Sequence, residues 1–73
     1  MTRILVFDTT HHALWAEQLA VERRFGAQVI PAPPDAHARC DLALEVLEED
    51  DDALRAVLDE EGVPYRVYVS PAS

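Results

Sequence analysis

The sequence contains no lysine, and its six basic residues, all arginine, stand against fourteen acidic residues. The formal net charge is −8 at pH 7. A protein with this charge repels a phosphate backbone, so we do not expect it to bind nucleic acid directly. Hydrophobic residues nevertheless make up 49% of the chain, which favours a folded protein over a disordered one.

Cysteine is equally scarce, since Cys40 is the single one in 73 residues. It cannot form an internal disulfide, and the sequence has no CxxC pair of the kind that holds structural zinc. The chain also lacks an apolar run near the roughly 20 residues that a membrane span requires, and its start, MTRILVF, lacks a signal-peptide cleavage site. These absences predict a reduced, soluble protein of the cytoplasm that does not bind membranes.

The hydrophobic patterns predict one domain over residues 1–73, ordered from about 2 to 70, with the element order βαββαβ. The predicted strands are residues 3–8, 27–33, 40–49 and 65–70, and the predicted helices are residues 11–24 and 48–61. This order is typical of the α+β, ferredoxin-like fold, a four-stranded antiparallel sheet with two helices on one face. Because so short a chain has a small core, we expect the open sheet face to pair with a second copy in a homodimer.

The sequence also predicts how the helices end and which sides they bury. Gly26 and Gly62 are expected to terminate the two helices in the left-handed conformation. The apolar faces are predicted to be Ala13, Leu14, Ala20, Val21 and Phe25 on the first helix, and Ala53, Leu54, Val57 and Leu58 on the second. Trp15 and Leu19 fall on the other side of the first helix, where we expect an exposed contact surface.

The predicted topology brings Cys40 towards the start of the first helix. The proline-rich loop before Cys40 lies at the same end of the sheet as Thr9 and Thr10, either of which can cap that helix. The free N–H groups of a helix N-terminus favour a thiolate, as does Arg39, whereas the charge of Asp41 opposes it. Cys40 is therefore a candidate reactive and accessible thiol assisted by Arg39 and Thr10, and the alternative is that it is a buried filler.

Three histidines provide a second hypothesis for the same end of the molecule. His37 precedes Cys40 at the spacing HxxC, and His11 and His12 are expected nearby. Imidazole and thiolate are ligands of zinc and copper, so these four side chains form a candidate metal site. The alternative is that all three histidines are surface residues without a ligand.

Three stretches, VFDTTHHALWAEQL, VIPAPPDAHARCDLAL and EEGVPYRVY, together resemble a small family of selenium and sulfur carrier-like proteins. The resemblance covers nearly the whole chain and departs from the family pattern mainly at Pro34, at residues 37–39 and at Asp41. It implies that Cys40 carries a sulfur or selenium atom as a persulfide or selenopersulfide, needs no cofactor, and exchanges that atom with sulfur- or selenium-transfer proteins. The resemblance thus implies a carrier rather than a turnover enzyme.

One further class of function is compatible with the sequence. Small ferredoxin-like domains also act as interaction or regulatory modules, and the acidic helix over residues 48–61 offers a surface for a basic partner. Thiol reactivity separates a carrier from such a module, and metal titration separates both from a metal-binding protein.

Overall fold

Strands and helices follow one another in the predicted order βαββαβ. The computed structural model describes residues 2–36 and 38–69. The elements are β1 Thr2–Val6, α1 Thr10–Glu22, β2 Ala27–Pro31, a 3₁₀ turn Pro34–Ala36, β3 Leu42–Leu47, α2 Glu48–Glu61 and β4 Arg66–Tyr68. The four strands form one antiparallel sheet in the order β2-β3-β1-β4, so the ferredoxin-like α+β prediction is confirmed. The single-domain prediction over 1–73 also takes in residues outside the described ranges.

The main core lies between the sheet and the two helices. The two central strands meet at the pair Leu5 and Leu44, which are both fully buried, and Val46, two residues further along β3, is equally buried. Their helix-side partners are Ala13, Ala16, Leu19 and Ala20 from α1, with Leu54, Val57 and Leu58 from α2. Alanine side chains allow α1 to approach the sheet closely. Neither helix, within the described ranges, is long and apolar enough to cross a membrane.

The predicted buried faces of the helices need correction. Leu14 and Val21 of α1 are 47% and 65% exposed, whereas Leu19 is buried and Trp15 packs partly against the core. Apolar residues surround α1 on nearly all sides, so periodicity alone does not select the side that meets the sheet. The predicted exposed pair Trp15 and Leu19 is therefore wrong, and in α2 it is Asp51, not the predicted Ala53, that is buried.

The two helices begin in different ways. The side chain of Thr9 caps α1 by accepting a hydrogen bond of 3.1 Å from the backbone N–H of His12. By contrast, α2 begins after Leu47 without a side-chain cap, and its first turn consists of acidic residues that complement the helix dipole. It ends as predicted at Gly62, whose φ of 78° lies in the left-handed region.

Gly26 has a different role from the one predicted. Helix α1 already ends at Glu22, and the left-handed conformation falls on Arg24, with a φ of 60°. Gly26 instead allows a close approach, because a Cβ atom there would collide with the side chain of Leu47. Its N–H donates to the carboxylate of Asp50 at 2.8 Å, and its carbonyl accepts from the N–H of Leu47 at 2.8 Å. Gly26 thus joins the start of β2 to the start of α2.

The sheet face opposite the helices, here called the back face, carries Ile4, Val6, Ile30 and Ala43. The chain after β2 folds onto this face, where Ala36 is 8% exposed and belongs to a second small apolar cluster. The prediction that this face is open to pair with another copy is therefore wrong for the part that the chain around Ala36 covers. Proline residues stiffen the segment, and its small alanine side chains fit closely over the sheet.

Beyond this cluster the back face carries a row of polar side chains beside the exposed Leu47. Glu45 accepts hydrogen bonds from Thr2 at 3.3 Å and from the side-chain amide of Gln28 at 3.1 Å. These three side chains form an exposed row across neighbouring strands. Such a row offers little apolar area for sheet-to-sheet packing, and the homodimer itself remains a prediction.

Candidate functional site

Cys40 lies beside the N-terminus of α1, as the topology predicts. Its Sγ atom is 3.7 Å from Oγ1 of Thr10, the first residue of α1, although the two residues are 30 positions apart in the sequence. The reason is topological, because the connection from β2 to β3 and the start of α1 share one end of the sheet. The predicted proximity of Cys40 and Thr10 is confirmed.

The sulfur atom has two polar neighbours. The backbone N–H of Leu42 donates to Sγ at 3.3 Å, and the hydroxyl of Thr10 is in hydrogen-bonding range. Both groups can donate a hydrogen bond to a negatively charged sulfur, and hydrogen bonds of this charge-assisted kind are stronger than neutral ones. We call Sγ with these two donors the thiol cradle.

Cys40 is nevertheless buried. It is a free cysteine that is only 3% exposed, and it belongs to the core between the sheet and the helices. The expectation of an accessible thiol is therefore wrong for this conformation. A reagent or partner reaches Sγ only when the surrounding chain moves.

Arg39 and Asp41, the charged neighbours of Cys40 in sequence, are both exposed. Within the described residues the hydrogen-bond partners of Sγ are Thr10 and Leu42, so the assistance predicted from Arg39 stays a prediction. The carbonyl of Asp41 accepts a hydrogen bond of 2.8 Å from the N–H of Ala32. This bond joins the two ends of the segment between β2 and β3.

The metal hypothesis depends partly on His37, which lies outside the described residues. His11 and His12 are neighbours, with ring centroids 5.9 Å apart, and Nδ1 of His12 is buried with no hydrogen-bond partner among the described residues. In residues 2–36 and 38–69, no three side chains of the metal-binding types are grouped to hold an ion. A zinc or copper site that includes His37 and Cys40 therefore stays a prediction.

Sequence reasoning missed two polar contacts that tie the segment between β2 and β3 to β4. The hydroxyl of Tyr68 donates to the carboxylate of Asp35, with distances of 2.8 and 2.9 Å to its two oxygens. A guanidinium nitrogen of Arg66 donates to the carbonyl of Ala36 at 3.4 Å. No periodic signal links positions so far apart in the chain, although alternation along β4 does place Arg66 and Tyr68 on one face.

A buried charge was also missed. Asp51 is 4% exposed, and its Oδ2 lies 3.1 Å from the guanidinium of Arg55 and 3.9 Å from that of Arg3. The i, i+4 spacing of Asp51 and Arg55 was the available signal. This cluster joins α2 to β1 and includes none of the residues of the thiol cradle. We infer that it stabilises the fold.

Trp15 lies half-buried on α1, about one turn after Thr10. Its ring is 6.0 Å from that of His11, and a surface cleft of about 360 Å³ is lined by His11, Leu14, Trp15 and Gln18. The cleft is shallow and open to solvent. It begins at the same end of α1 as the thiol cradle.

Fold and site together define a small ferredoxin-like protein with a single free thiol, which is held by a backbone N–H and a hydroxyl at a helix N-terminus. The family described as "Putative Se/S carrier protein-like" matches residues 2–70, and the chain belongs to this family. The resemblance noted in the sequence is thus confirmed over nearly the whole chain. Comparison with curated proteins and with solved structures finds no match.

Proposed function

We propose that the protein is a sulfur or selenium carrier in which the Cys40 thiolate accepts a single chalcogen atom and delivers it to another protein. Family membership is one support for this proposal. The observation that carries it is the thiol cradle, in which the N–H of Leu42 and the hydroxyl of Thr10 meet the only thiol of the chain.

The transfer itself is a thiol–persulfide exchange. The Cys40 thiolate attacks the outer sulfur of a donor persulfide, and the sulfur–sulfur bond of the donor breaks. The donor leaves as a thiolate while a new sulfur–sulfur bond forms on Cys40, so no external oxidant or reductant is required. The same exchange in reverse passes the atom to an acceptor thiol, and a selenium atom follows an equivalent route.

A single cysteine suits a carrier better than a turnover enzyme. A second thiol nearby would attack the persulfide, release sulfide and form a disulfide. The chain has one cysteine, so its persulfide persists until an acceptor arrives. Sulfur- or selenium-transfer proteins are the partners that this chemistry requires, and a reducing compartment such as the cytoplasm keeps the unloaded thiol free.

The burial of Cys40 favours a second candidate function. A side chain that is 3% exposed fits a non-catalytic interaction or regulatory module in which Cys40 is part of the core. In that case the acidic surface of α2 is the natural contact for a basic partner.

Mass spectrometry under native conditions separates these candidates. Reduced protein is incubated with a persulfide donor, and we expect the intact mass to increase by one sulfur atom. Cys40→Ser is the matched control, since it keeps a hydrogen-bonding group at the same position and should gain no sulfur. The loaded protein is then mixed with an acceptor thiol, to which the extra atom should pass.

A thiol that gains no sulfur in the folded protein but reacts after denaturation would refute the carrier proposal and leave the interaction module. Self-association is measured on the same samples. We propose a homodimer because the core is small, and light scattering that shows a monomer at tens of micromolar removes that part of the proposal.

A further inference from the structure

The segment that joins β2 to β3 passes from one face of the sheet to the other. On the back face, Ala36 packs with Val6 and Ala43. At the far end of the segment, Cys40 belongs to the core on the helix side of the sheet. Because Asp35 and Ala36 precede Cys40 by only five and four positions, we expect an outward movement of Cys40 away from Thr10 to pull on the part of the segment that lies on the back face.

Among the described residues, small apolar side chains and exposed or partly exposed polar contacts hold the segment on the back face. The alanine side chains bury little area each, so the apolar contribution per residue is small. The polar contribution comes from Tyr68, which donates to both carboxylate oxygens of Asp35, and from Arg66, which donates to the carbonyl of Ala36. These polar contacts are exposed or partly exposed, and therefore open more easily than those of the main core.

We propose that the hydrogen bond between Tyr68 and Asp35 is a latch that controls access to the sulfur of Cys40. While it is closed, Sγ stays in the thiol cradle and is shielded from other molecules. When it opens, the segment moves off the back face and Cys40 moves away from Thr10. This inference rests on the proposed function for its biological meaning, whereas access to the sulfur is a physical property that a simple reagent measures.

Alkylation of native protein by iodoacetamide tests the latch. Tyr68→Phe and Asp35→Asn each weaken the bond, and each should make alkylation of Cys40 about three- to tenfold faster, the range expected for one hydrogen bond of moderate strength. The double variant should react no faster than the faster single variant, because one bond is lost in all three. This double-mutant cycle separates the effect of the Tyr68–Asp35 bond from the effects of other contacts made by either side chain.

Tyr65→Phe is the matched control. Tyr65 interacts electrostatically with an aspartate of its own, Asp59 in α2, and lies outside the segment. The control should leave the alkylation rate within about twofold of the wild-type value once each rate is corrected for global stability from urea unfolding. If Cys40 becomes accessible by local opening, the alkylation rate should depend only weakly on low concentrations of urea, because little surface is exposed.

Two results would overturn the latch. In the first, the alkylation rates of Tyr68→Phe and Asp35→Asn change only as much as global stability does. In the second, the rate increase in the double variant equals the product of the two single increases. Failure of the carrier proposal looks different, because faster alkylation with no uptake of sulfur from a persulfide donor keeps the latch and removes the carrier. Uptake of sulfur at equal rates in all variants keeps the carrier and removes the latch.

Discussion

Replacement of Cys40 by alanine and by serine distinguishes a hydrogen-bonded sulfur from an apolar filler. Alanine removes one heavy atom from a side chain that is 3% exposed. Loss of a group of that size costs about 1 kcal/mol in transfer and cavity terms. It also removes the acceptor for the N–H of Leu42, and the loss of that hydrogen bond costs about 1 kcal/mol more. We therefore expect Cys40→Ala to lower the free energy of unfolding by about 2 kcal/mol.

Serine restores a polar atom at the same position. Its oxygen can accept from the N–H of Leu42 and share a hydrogen bond with Thr10, so the hydroxyl is not buried without partners. Cys40→Ser should then be less destabilising than Cys40→Ala, at about 1 kcal/mol. In an apolar pocket the order would be reversed, because an unpaired buried hydroxyl costs about 1–3 kcal/mol.

Urea unfolding followed by tryptophan fluorescence measures both variants. Thr10→Val provides the control, since valine keeps the branched shape of threonine without its hydroxyl. In that background the advantage of serine over alanine should shrink, because one of its two partners is gone. A serine variant less stable than the alanine variant in the Thr10 protein would refute the thiol cradle.

Three further predictions concern stability. The pKa of Tyr65 lies above its ordinary value of 10.0, first because burial disfavours the phenolate and then because of the charge and hydrogen bond of Asp59. The folded state thus holds the proton more tightly, so stability should be full below about pH 10 and fall above it, and urea unfolding of Tyr65→Phe should show a shallower fall. Asp51→Ala should lower the free energy of unfolding by about 1–2 kcal/mol in the same assay, because Arg55 stays partly solvated. Breaking a fully buried ion pair typically costs about 3–5 kcal/mol, so a loss of that size would contradict the solvation of Arg55. Gly62→Ala should lower the melting temperature through about 1 kcal/mol of backbone strain alone, since its φ is 78° and no atom of the described residues lies within 4 Å of the added Cβ. An unchanged melting temperature would contradict this.

The sequence was informative where one periodicity dominates. Alternation along β3 correctly predicts that Leu44 and Val46 point into the core. Successive side chains of a strand point to opposite faces, so every second residue faces the helices. The element order then determines the topology, and the topology brings Cys40 to Thr10. Proximity at one end of the sheet thus follows from strand direction, without any knowledge of side-chain packing.

Other features have no such signal. Helix α1 has alanine, leucine, valine and tryptophan on several sides, so the buried side depends on how closely alanine lets it approach the sheet. Gly26 looks like a helix terminator, yet it is required by the side chain of Leu47, which comes from a distant part of the chain. The burial of Cys40 likewise depends on where the segment after β2 folds, and its contact between Asp35 and Tyr68 cannot be read from local pattern.

The position of Trp15 makes the protein its own spectroscopic probe. It is the only tryptophan, it is half-buried on α1, and it lies about one helical turn beyond the residue that contacts the sulfur of Cys40. Indole emission depends on the polarity around the ring and on nearby quenching groups such as the His11 imidazole. Opening at this end of α1 should therefore change the emission of unlabelled protein, so that the proposed exchange of a chalcogen atom can be tested continuously in a stopped-flow fluorimeter.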